Sequence, residues 1–338
     1  MINALSLENF GPILKLDWSG LGCVNLVIGN NGLGKSFILK AMYSAVRTVE
    51  EYKRGDEHRS AKEILADKLH WTFQADRIGE LVSKGGEGSL SCSLIFDEKE
   101  FSYSFGRDTT KQISKLENKI PPRKSNSIFL PAKEVLSLHK VILKSREEDK
   151  VFGFDDTYLD LARALRQSPE PENANGLFAE SRQSLEEILG GKIELDEDSG
   201  RWYFKKKNQK FPIGVTAEGI KKIAILDTLL GNRYLSSDSI VFIDEPEAAL
   251  HPVAIARLLD LIASLASSGI QFFMASHSYF VVKKLFLIAQ KQGMSIPVLS
   301  ADKDNQWQNS NLLEGMPENE IIGESIRLYK EEMELVLR

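Results

Sequence analysis

Gly29-Asn30-Asn31-Gly32-Leu33-Gly34-Lys35-Ser36 follows the short apolar run Val24-Asn25-Leu26-Val27-Ile28. It opens a segment in which Ile38, Leu39, Met42, Ala45, Val46 and Val49 recur at helical spacing. Strand, glycine loop and helix therefore follow one another directly. The spacing of Gly29, Gly34, Lys35 and Ser36 fits the pattern that cradles phosphates, and each position has a physical job. Glycines let backbone N–H groups turn inward at a helix N-terminus, a lysine places a cation on the outer phosphates, and a serine hydroxyl ligates Mg2+. A chance glycine turn does not require an apolar strand before it and a periodic helix after it.

Two further islands lie downstream. Ile240-Val241-Phe242-Ile243 and Ile270 to Met274 read as continuous apolar strands of the buried parallel kind, and the helix Val253 to Leu265 between them completes a βαβ unit. Asp244 and Glu245 close the first of these strands, at the carboxyl end where open α/β sheets bind ligands. There Asp244 can hold Mg2+ through water, and Glu245 can polarise an attacking water as general base. With Glu247 close behind, the same residues also read as a solvated acidic turn, a reading that the apolar run ahead of them argues against. His277, in Ala275-Ser276-His277-Ser278, ends the second strand. Alone it reads as a cap or surface residue; beside Lys35, Asp244 and Glu245 it reads as a hydrogen-bond donor to the γ-phosphate.

The remaining chain supplies a body for these islands. Its 338 residues, 42% apolar, suffice for a full core, and a mixed-sign 27% of charged residues with net charge −5 gives no global pull toward nucleic acid or anionic membrane. No signal-peptide pattern and no apolar run of about 18 residues is present, so the expected location is cytoplasmic, without membrane contact. The two cysteines, Cys23 and Cys92, sit outside any metal-ligand spacing and fit a reducing compartment, with Cys23 in the core.

Ile2 to Leu7 and Ile13 to Trp18 read as an edge hairpin turning at Asn9-Phe10-Gly11-Pro12. Ala61 to Leu69 reads as helix, Leu90 to Phe96 and Phe101 to Phe105 as an antiparallel insertion, and Ser127 to Leu130 as a strand. Tyr158 to Leu165 and Leu177 to Leu189 are helical by period and open a second lobe, with Gln167 to Asn175 as the linker candidate. Ile193 to Leu195 and Trp202 to Phe204 form a hairpin, followed by a helix over Ile220 to Leu230. Lys205, Lys206, Lys207 and Lys210 beside Trp202, Tyr203 and Phe204 mix cations with rings, which a solvated hairpin edge explains better than nucleic-acid contact. Asp302 and Asp304 read as a polar turn rather than a metal site, and Pro317 to Arg338 as an amphipathic helix packed on its own lobe or on a partner.

Taken together, the phosphate loop, Ile243-Asp244-Glu245-Pro246-Glu247-Ala248-Ala249-Leu250-His251-Pro252 and Ala275-Ser276-His277-Ser278 resemble the ABC-type ATPases of the SMC, RecF and OLD lineage. Asn9-Phe10-Gly11-Pro12 is similar to the first strand turn of that lineage. The resemblance implies an α/β P-loop head: a mixed, largely parallel central sheet, an antiparallel β lobe and a helical insertion lobe. All of it belongs to one ATPase domain over residues 1–338, with lobes at 1–126, 127–210 and 211–338. It implies ATP and Mg2+ as ligands, held by Gly29, Asn30, Asn31, Gly32, Leu33, Gly34, Lys35, Ser36 and Phe37, with Ser36 and Asp244 on the metal. Glu245 and His277 are then the catalytic pair, Ala248 to Pro252 the D-loop, and two protomers sandwich ATP.

Thr216-Ala217-Glu218-Gly219-Ile220-Lys221-Lys222 stands where the family's signature motif belongs, without the usual serine before the glycine. Thr216, Glu218 and Gly219 are its candidates for contacting the partner's nucleotide. An ordinary helix start with Thr216 as N-cap reads equally well. Where the lineage has a glutamine, Leu130-Pro131-Ala132-Lys133-Glu134 offers Lys133 or Glu134.

The chain has no sustained heptad run of the SMC arms, and the roughly sixty residues after His277 are too few for the nuclease domain of OLD proteins. A compact build of this kind resembles the standalone ATPases of Septu-type and retron-associated antiphage systems. That resemblance implies an ATP-driven switch subunit that dimerises around ATP and controls an effector encoded nearby, a nuclease or toxin. The alternative is a RecF-like repair ATPase that clamps DNA; an acidic chain with one small lysine cluster weakens it. A transporter subunit would need a well-formed signature motif and a shorter gap after Lys35.

Overall fold

The computed structural model describes residues 1–168, 178–196, 199–301 and 306–337. Most of the linker candidate Gln167 to Asn175, the pair Asp302 and Asp304, the first residue of the helix expected from Leu177, and Arg338 lie outside the described residues. The strands are β1 (Ile2–Phe10), β2 (Ile13–Ser19), β3 (Val24–Ile28), β4 (Leu90–Phe96), β5 (Lys99–Phe105), β6 (Lys115–Asn118), β7 (Ile128–Leu130), β8 (Lys192–Asp196), β9 (Arg201–Lys206), β10 (Gln209–Pro212), β11 (Ile240–Asp244), β12 (Gln271–Ser276), β13 (Pro297–Ala301) and β14 (Trp307–Asn311). The helices are α1 (Lys35–Glu51), α2 (Ala61–Phe73), α3 (His139–Leu143), α4 (Asp156–Leu165), α5 (Ala179–Leu189), α6 (Glu218–Gly231), α7 (Pro252–Ser267), α8 (Tyr279–Gln292) and α9 (Glu320–Val336).

The central sheet runs β14-β13-β3-β12-β11-β7. Every pairing in it is parallel except β13 with β14. Parallel strands need cover on both faces, which is why β3, β12 and β13 are buried along their whole length. Alternate residues feed two cores. Val24, Leu26, Ile28, Val241, Ile243, Phe272 and Met274 face the layer built from α4 to α8. Val27, Phe242, Phe273, Ala275 and Leu299 face α1, α2 and a second sheet. On that second side Phe129, Phe242 and Phe273 stack in series across neighbouring strands, with Tyr43 and Trp18 set edge-on against them. Such aromatic pairs add roughly 0.5–1.5 kcal/mol each beyond their buried area.

The second sheet is antiparallel in the order β2-β1-β4-β5-β6. The expected hairpin lies at one edge of this sheet with β2 outermost and Leu5 opposite Trp18, and on its other side β1 is joined to β4, with Leu5 opposite Leu94. The cause is the strict alternation of β4, whose inward Leu90, Cys92, Leu94 and Phe96 extend the buried face that Leu5 and Leu7 begin. The insertion after α2 thus continues the first hairpin's sheet instead of forming a lobe apart. A third sheet, β10-β9-β8, contains the expected hairpin plus one strand more. It buries Trp202 and Phe204, while Lys205 pairs with Glu194 and the Lys210 ammonium lies over the Tyr203 ring.

Cys23 is half-buried rather than core, and Cys92 is buried. Within α9 only Ile322 is buried; Ile326, Tyr329 and Met333, on the stripe expected to pack, are exposed. Among the described residues no helix is long and apolar enough to cross a membrane.

Candidate functional site

β3, β12 and β11 are neighbours, and their carboxyl ends deliver the glycine loop, His277 and Asp244-Glu245 to one edge of the sheet. The chain order β3, β11, β12 becomes the spatial order β3, β12, β11, so the histidine's strand stands between the other two. This convergence follows from the topology and is invisible in any one motif.

The loop enters α1 through Gly34, whose φ of 94° is left-handed and which is the helix N-cap. A Cβ there would also lie 2.7 Å from Pro12 Cγ. The turn at Asn9 to Pro12 therefore packs directly on the loop. Gly11 meets the same constraint from the other side: at φ +56° a Cβ would sit 2.3 Å from the Phe37 ring, which is itself held edge-on to Phe10 and against Phe73. Gly34→Ala combines a disallowed φ with a clash, so the folded state should lose more than about 1 kcal/mol in chemical denaturation, with ATP binding lost as well. Binding within twofold of wild type would show that the loop can re-form without the glycine.

Lys35 Nζ donates to Gly29 O at 2.7 Å and Asn30 O at 2.9 Å, which aims the ammonium across the concave side of the loop. Burial lowers its pKa, while Asp244, Glu245 and Glu247 pull it back up. Ser36 Oγ donates to Asp244 Oδ1 at 3.0 Å. Burial pushes the Asp244 carboxyl above its ordinary range, only partly offset by the Ser36 hydrogen bond, and Glu245 pushes it further. A half-buried carboxylate held against a hydroxyl, with its ionised form penalised, is a donor pair that gains by taking a hard cation, so the residues present fit Mg2+. The cleft in front of them has a volume of about 560 Å³ and is walled by Pro12, Phe37, Phe73 and Gln74, with Lys40 and Asp155 at its side.

Glu245 sits in the left-handed region at φ 48° and turns its side chain toward His277, with Oε1 3.4 Å from Nδ1. Glu247 supports the histidine's loop: its Oε1 accepts from Ser276 Oγ at 2.7 Å and from the His277 N–H at 3.3 Å. This is more than a solvated acidic turn.

Elsewhere the structure departs from expectation. Thr216 is not the N-cap of α6; Ala217 is, with no side-chain cap, and Thr216 Oγ1 donates at 3.4 Å to Pro212 O one turn back. Gly219 is buried against the 245–250 loop of its own chain, where a Cβ would meet Leu250 Cδ2 at 2.6 Å and Ala249 O at 3.0 Å, so its close approach serves a contact within the protomer. The Glu218 side chain lies outside what the structure describes. Glu134 accepts from Ser137 N at 2.8 Å and faces Lys221 at 3.8 Å, and Lys133 is exposed; both belong to a groove beside α6 rather than to the phosphate cleft.

Sequence reasoning missed several residues near the motifs. Lys40 lies one turn beyond Ser36 on α1 and donates to Asp155 Oδ2 at 2.6 Å. Its i+4 spacing from Ser36 was a usable signal. Asp155 and Gln74 had none, since tertiary packing alone brings them to the cleft. Lys222, half-buried on α6, donates to the carbonyls of Glu245 at 2.6 Å and Asp244 at 3.4 Å. Burial lowers its pKa to about 8, although Glu247, Asp244 and Glu245 all act to raise it.

The family model described as "AAA domain, putative AbiEii toxin, Type IV TA system" matches residues 24–283 of the chain. Among solved structures, the chain is similar to an Smc head bound to the C-winged helix domain of ScpA. The two are 14% identical, with 92% of this chain and 97% of that chain covered and a TM-score of 0.54. It is similar also to the Smc head domain with an extended coiled coil bound to the C-terminal domain of ScpA derived from Pyrococcus furiosus, at 12% identity, with 98% and 99% covered and a TM-score of 0.51. No curated protein sequence matches. At such identities the structural likeness is one of fold, and it is the fold that the converging strands describe. The family match runs from the strand before the glycine loop into α8, over more than half of the chain, so the chain belongs to the family described as an AAA domain, putative AbiEii toxin of a type IV TA system.

Proposed function

We propose that the chain is an ATP-binding and hydrolysing switch subunit that dimerises around ATP and controls a separate effector, a nuclease or toxin, in a bacterial antiphage system. The observation that carries the reading is the meeting, at three adjacent strand ends, of Lys35, the Ser36–Asp244 pair and the Glu245–His277 pair. In this reading the loop N–H groups and Lys35 hold the phosphates, and Ser36 with Asp244 holds Mg2+. The metal supplies neutralisation of charge on the phosphate oxygens. Glu245 orients a water and takes its proton as the water oxygen bonds to the γ-phosphorus. The bond to the β,γ-bridging oxygen breaks, and ADP and phosphate leave. His277 steadies the γ-phosphate oxygens from the strand between.

For the dimer, the supporting surface is the loop ahead of α6, where Val215 is 76% exposed, together with exposed Ala249 of the D-loop. For the effector, support comes from the exposed stripe of Ile326, Tyr329 and Met333 on α9, and from the bound ScpA domains on the two Smc heads that share the fold.

The test is ATP turnover and sedimentation of the chain, with and without ATP, the product of the adjacent gene, and duplex DNA. Turnover with an ATP-dependent doubling of mass and co-sedimentation of the neighbouring protein supports the switch. Strong stimulation by DNA with no protein partner replaces it with a DNA-clamping repair ATPase, and absence of both turnover and ATP-dependent association removes the reading.

A further inference from the structure

We infer that Lys222 is a positioning residue for hydrolysis, holding the Glu245 carboxylate in place through the Glu245 main chain. The inference rests on the ATPase reading of this site and gives Lys222, the last residue of the stretch Thr216 to Lys222, a role within its own protomer.

Glu245 is a non-glycine residue at φ 48°, a conformation that persists only where the surroundings over-determine it. Its N–H donates to Ala275 O at 2.9 Å, which ties it to β12. Its carbonyl oxygen has two lone pairs, and both are used: Ala248 N–H donates at 3.0 Å and Lys222 Nζ at 2.6 Å. The lysine bond is the charge-assisted one, and therefore the stronger. Lys222 reaches it from α6, a separate element, so the turn carrying the water-activating carboxylate is braced from outside its own strand.

A second contact supports the brace. One turn earlier on α6, Gly219 lies against Ala249 O and Leu250, and Ala249 is itself left-handed at φ 60°. Helix α6 therefore meets the 245–250 loop at both of its left-handed residues. Lys222 lines a groove of about 250 Å³ with Lys133, Glu134 and Ala249, apart from the cleft that Lys35 and Ser36 line. A residue so placed should influence how well water is activated while leaving nucleotide affinity alone. Misplacement of a reacting group by about 1 Å costs on the order of 10²-fold in rate.

The experiment compares wild type, Lys222→Met and Lys222→Arg by steady-state ATP hydrolysis, equilibrium ATP binding, and amide hydrogen exchange over residues 244–250 without nucleotide. For Lys222→Met we expect kcat to fall roughly 10- to 100-fold with KM and Kd within about twofold. Exchange over 244–250 should be faster than in wild type. Lys222→Arg keeps a cationic donor and should recover most of the rate and the protection. Lys222→Gln carries the same readouts in place of a Met variant that does not fold. Wild-type kcat in Lys222→Met, a rise in KM that accounts for the loss, or a loss that Lys222→Arg does not recover overturns the inference and leaves the ATPase reading standing. If the wild type itself fails to hydrolyse ATP, the ATPase reading fails, and with it the rate arm. The exchange arm then decides whether Lys222 anchors the turn, with unchanged exchange overturning the anchor too.

Discussion

Glu245→Gln is expected to lower ATP turnover by about 10²- to 10⁴-fold, the usual contribution of a general base, while ATP stays bound. The substitution is nearly isosteric and leaves the main chain alone, so the left-handed turn, the Ala275 tie and the 3.4 Å approach to His277 all have the atoms they need. Removing the charge also acts on Asp244, whose pKa Glu245 helps to raise. With Glu245 neutral, Asp244 ionises more readily and its hold on a cation strengthens. The variant should therefore accumulate as a nucleotide-bound dimer that is longer-lived than the wild type's. Phosphate release measured beside sedimentation in ATP checks both halves. A turnover within about threefold of wild type would remove Glu245 from the role of base.

The parts of this site that could be read in the sequence are those where a local segment does its own chemistry. Glycines and Lys35 act within one turn of chain, and Asp244-Glu245 and His277 each announce themselves by ending an apolar strand. Parallel central strands, being covered on both faces, appear as largely apolar runs, broken in β3 only by Asn25 and in β12 only at its ends by Gln271 and Ser276, so β3, β11 and β12 were legible. β14, with only partial burial, was not.

The rest depends on distance in sequence. That β1 pairs with β4 across some ninety residues is set by two half-buried faces matching, and either strand alone reads equally well as an edge. Thr216 reads as well as a cap as it does as part of a signature motif because its hydroxyl suits both, whereas the N-cap falls one residue later at Ala217, whose side chain cannot cap. Lys222 looked like any cation on a helix, because its meaning lies in a carbonyl twenty-three residues away.

Asp160→Ala is expected to cost roughly 3–5 kcal/mol of stability, since removing one member of a buried ionic cluster leaves the others uncompensated. The Asp160 side chain is 4% exposed and joins three elements: Tyr43 Oη donates to it at 2.7 Å, Arg47 Nε lies at 3.4 Å on the same helix α1, and Lys68 Nζ of α2 lies at 3.3 Å. Burial pushes its carboxyl up, but Lys68, Arg47 and the Tyr43 hydroxyl outweigh burial and hold it below the usual carboxylate range. A depressed pKa means that its contribution is present above the unfolded value near 3.9 and is lost as pH falls through the folded one.

Asp156, one turn earlier on α4, is the opposite case: burial raises its pKa, with Asp160 adding to the rise, and Lys68 and Arg146 offset this only in part. Its charge is a net penalty at neutral pH, relieved as pH falls through the raised value. Asp156→Asn should therefore cost clearly less than Asp160→Asn in denaturation at pH 7, although both carboxylates meet Lys68. Equal losses would mean that the cluster acts only through packing. An Asp160→Ala loss below about 1 kcal/mol would mean that Lys68 and Arg47 find other partners, Glu51 being within 3.0 Å of both.

The cluster also reaches the cleft, because Asp155, the N-cap of α4, accepts from Lys40 on the helix that begins at the phosphate loop. Loosening α4 should thus weaken ATP binding as well as the fold. Excess ATP, which at about 100 times Kd adds some 2.7 kcal/mol to a competent folded state, should stabilise Asp160→Ala less than it stabilises the wild type.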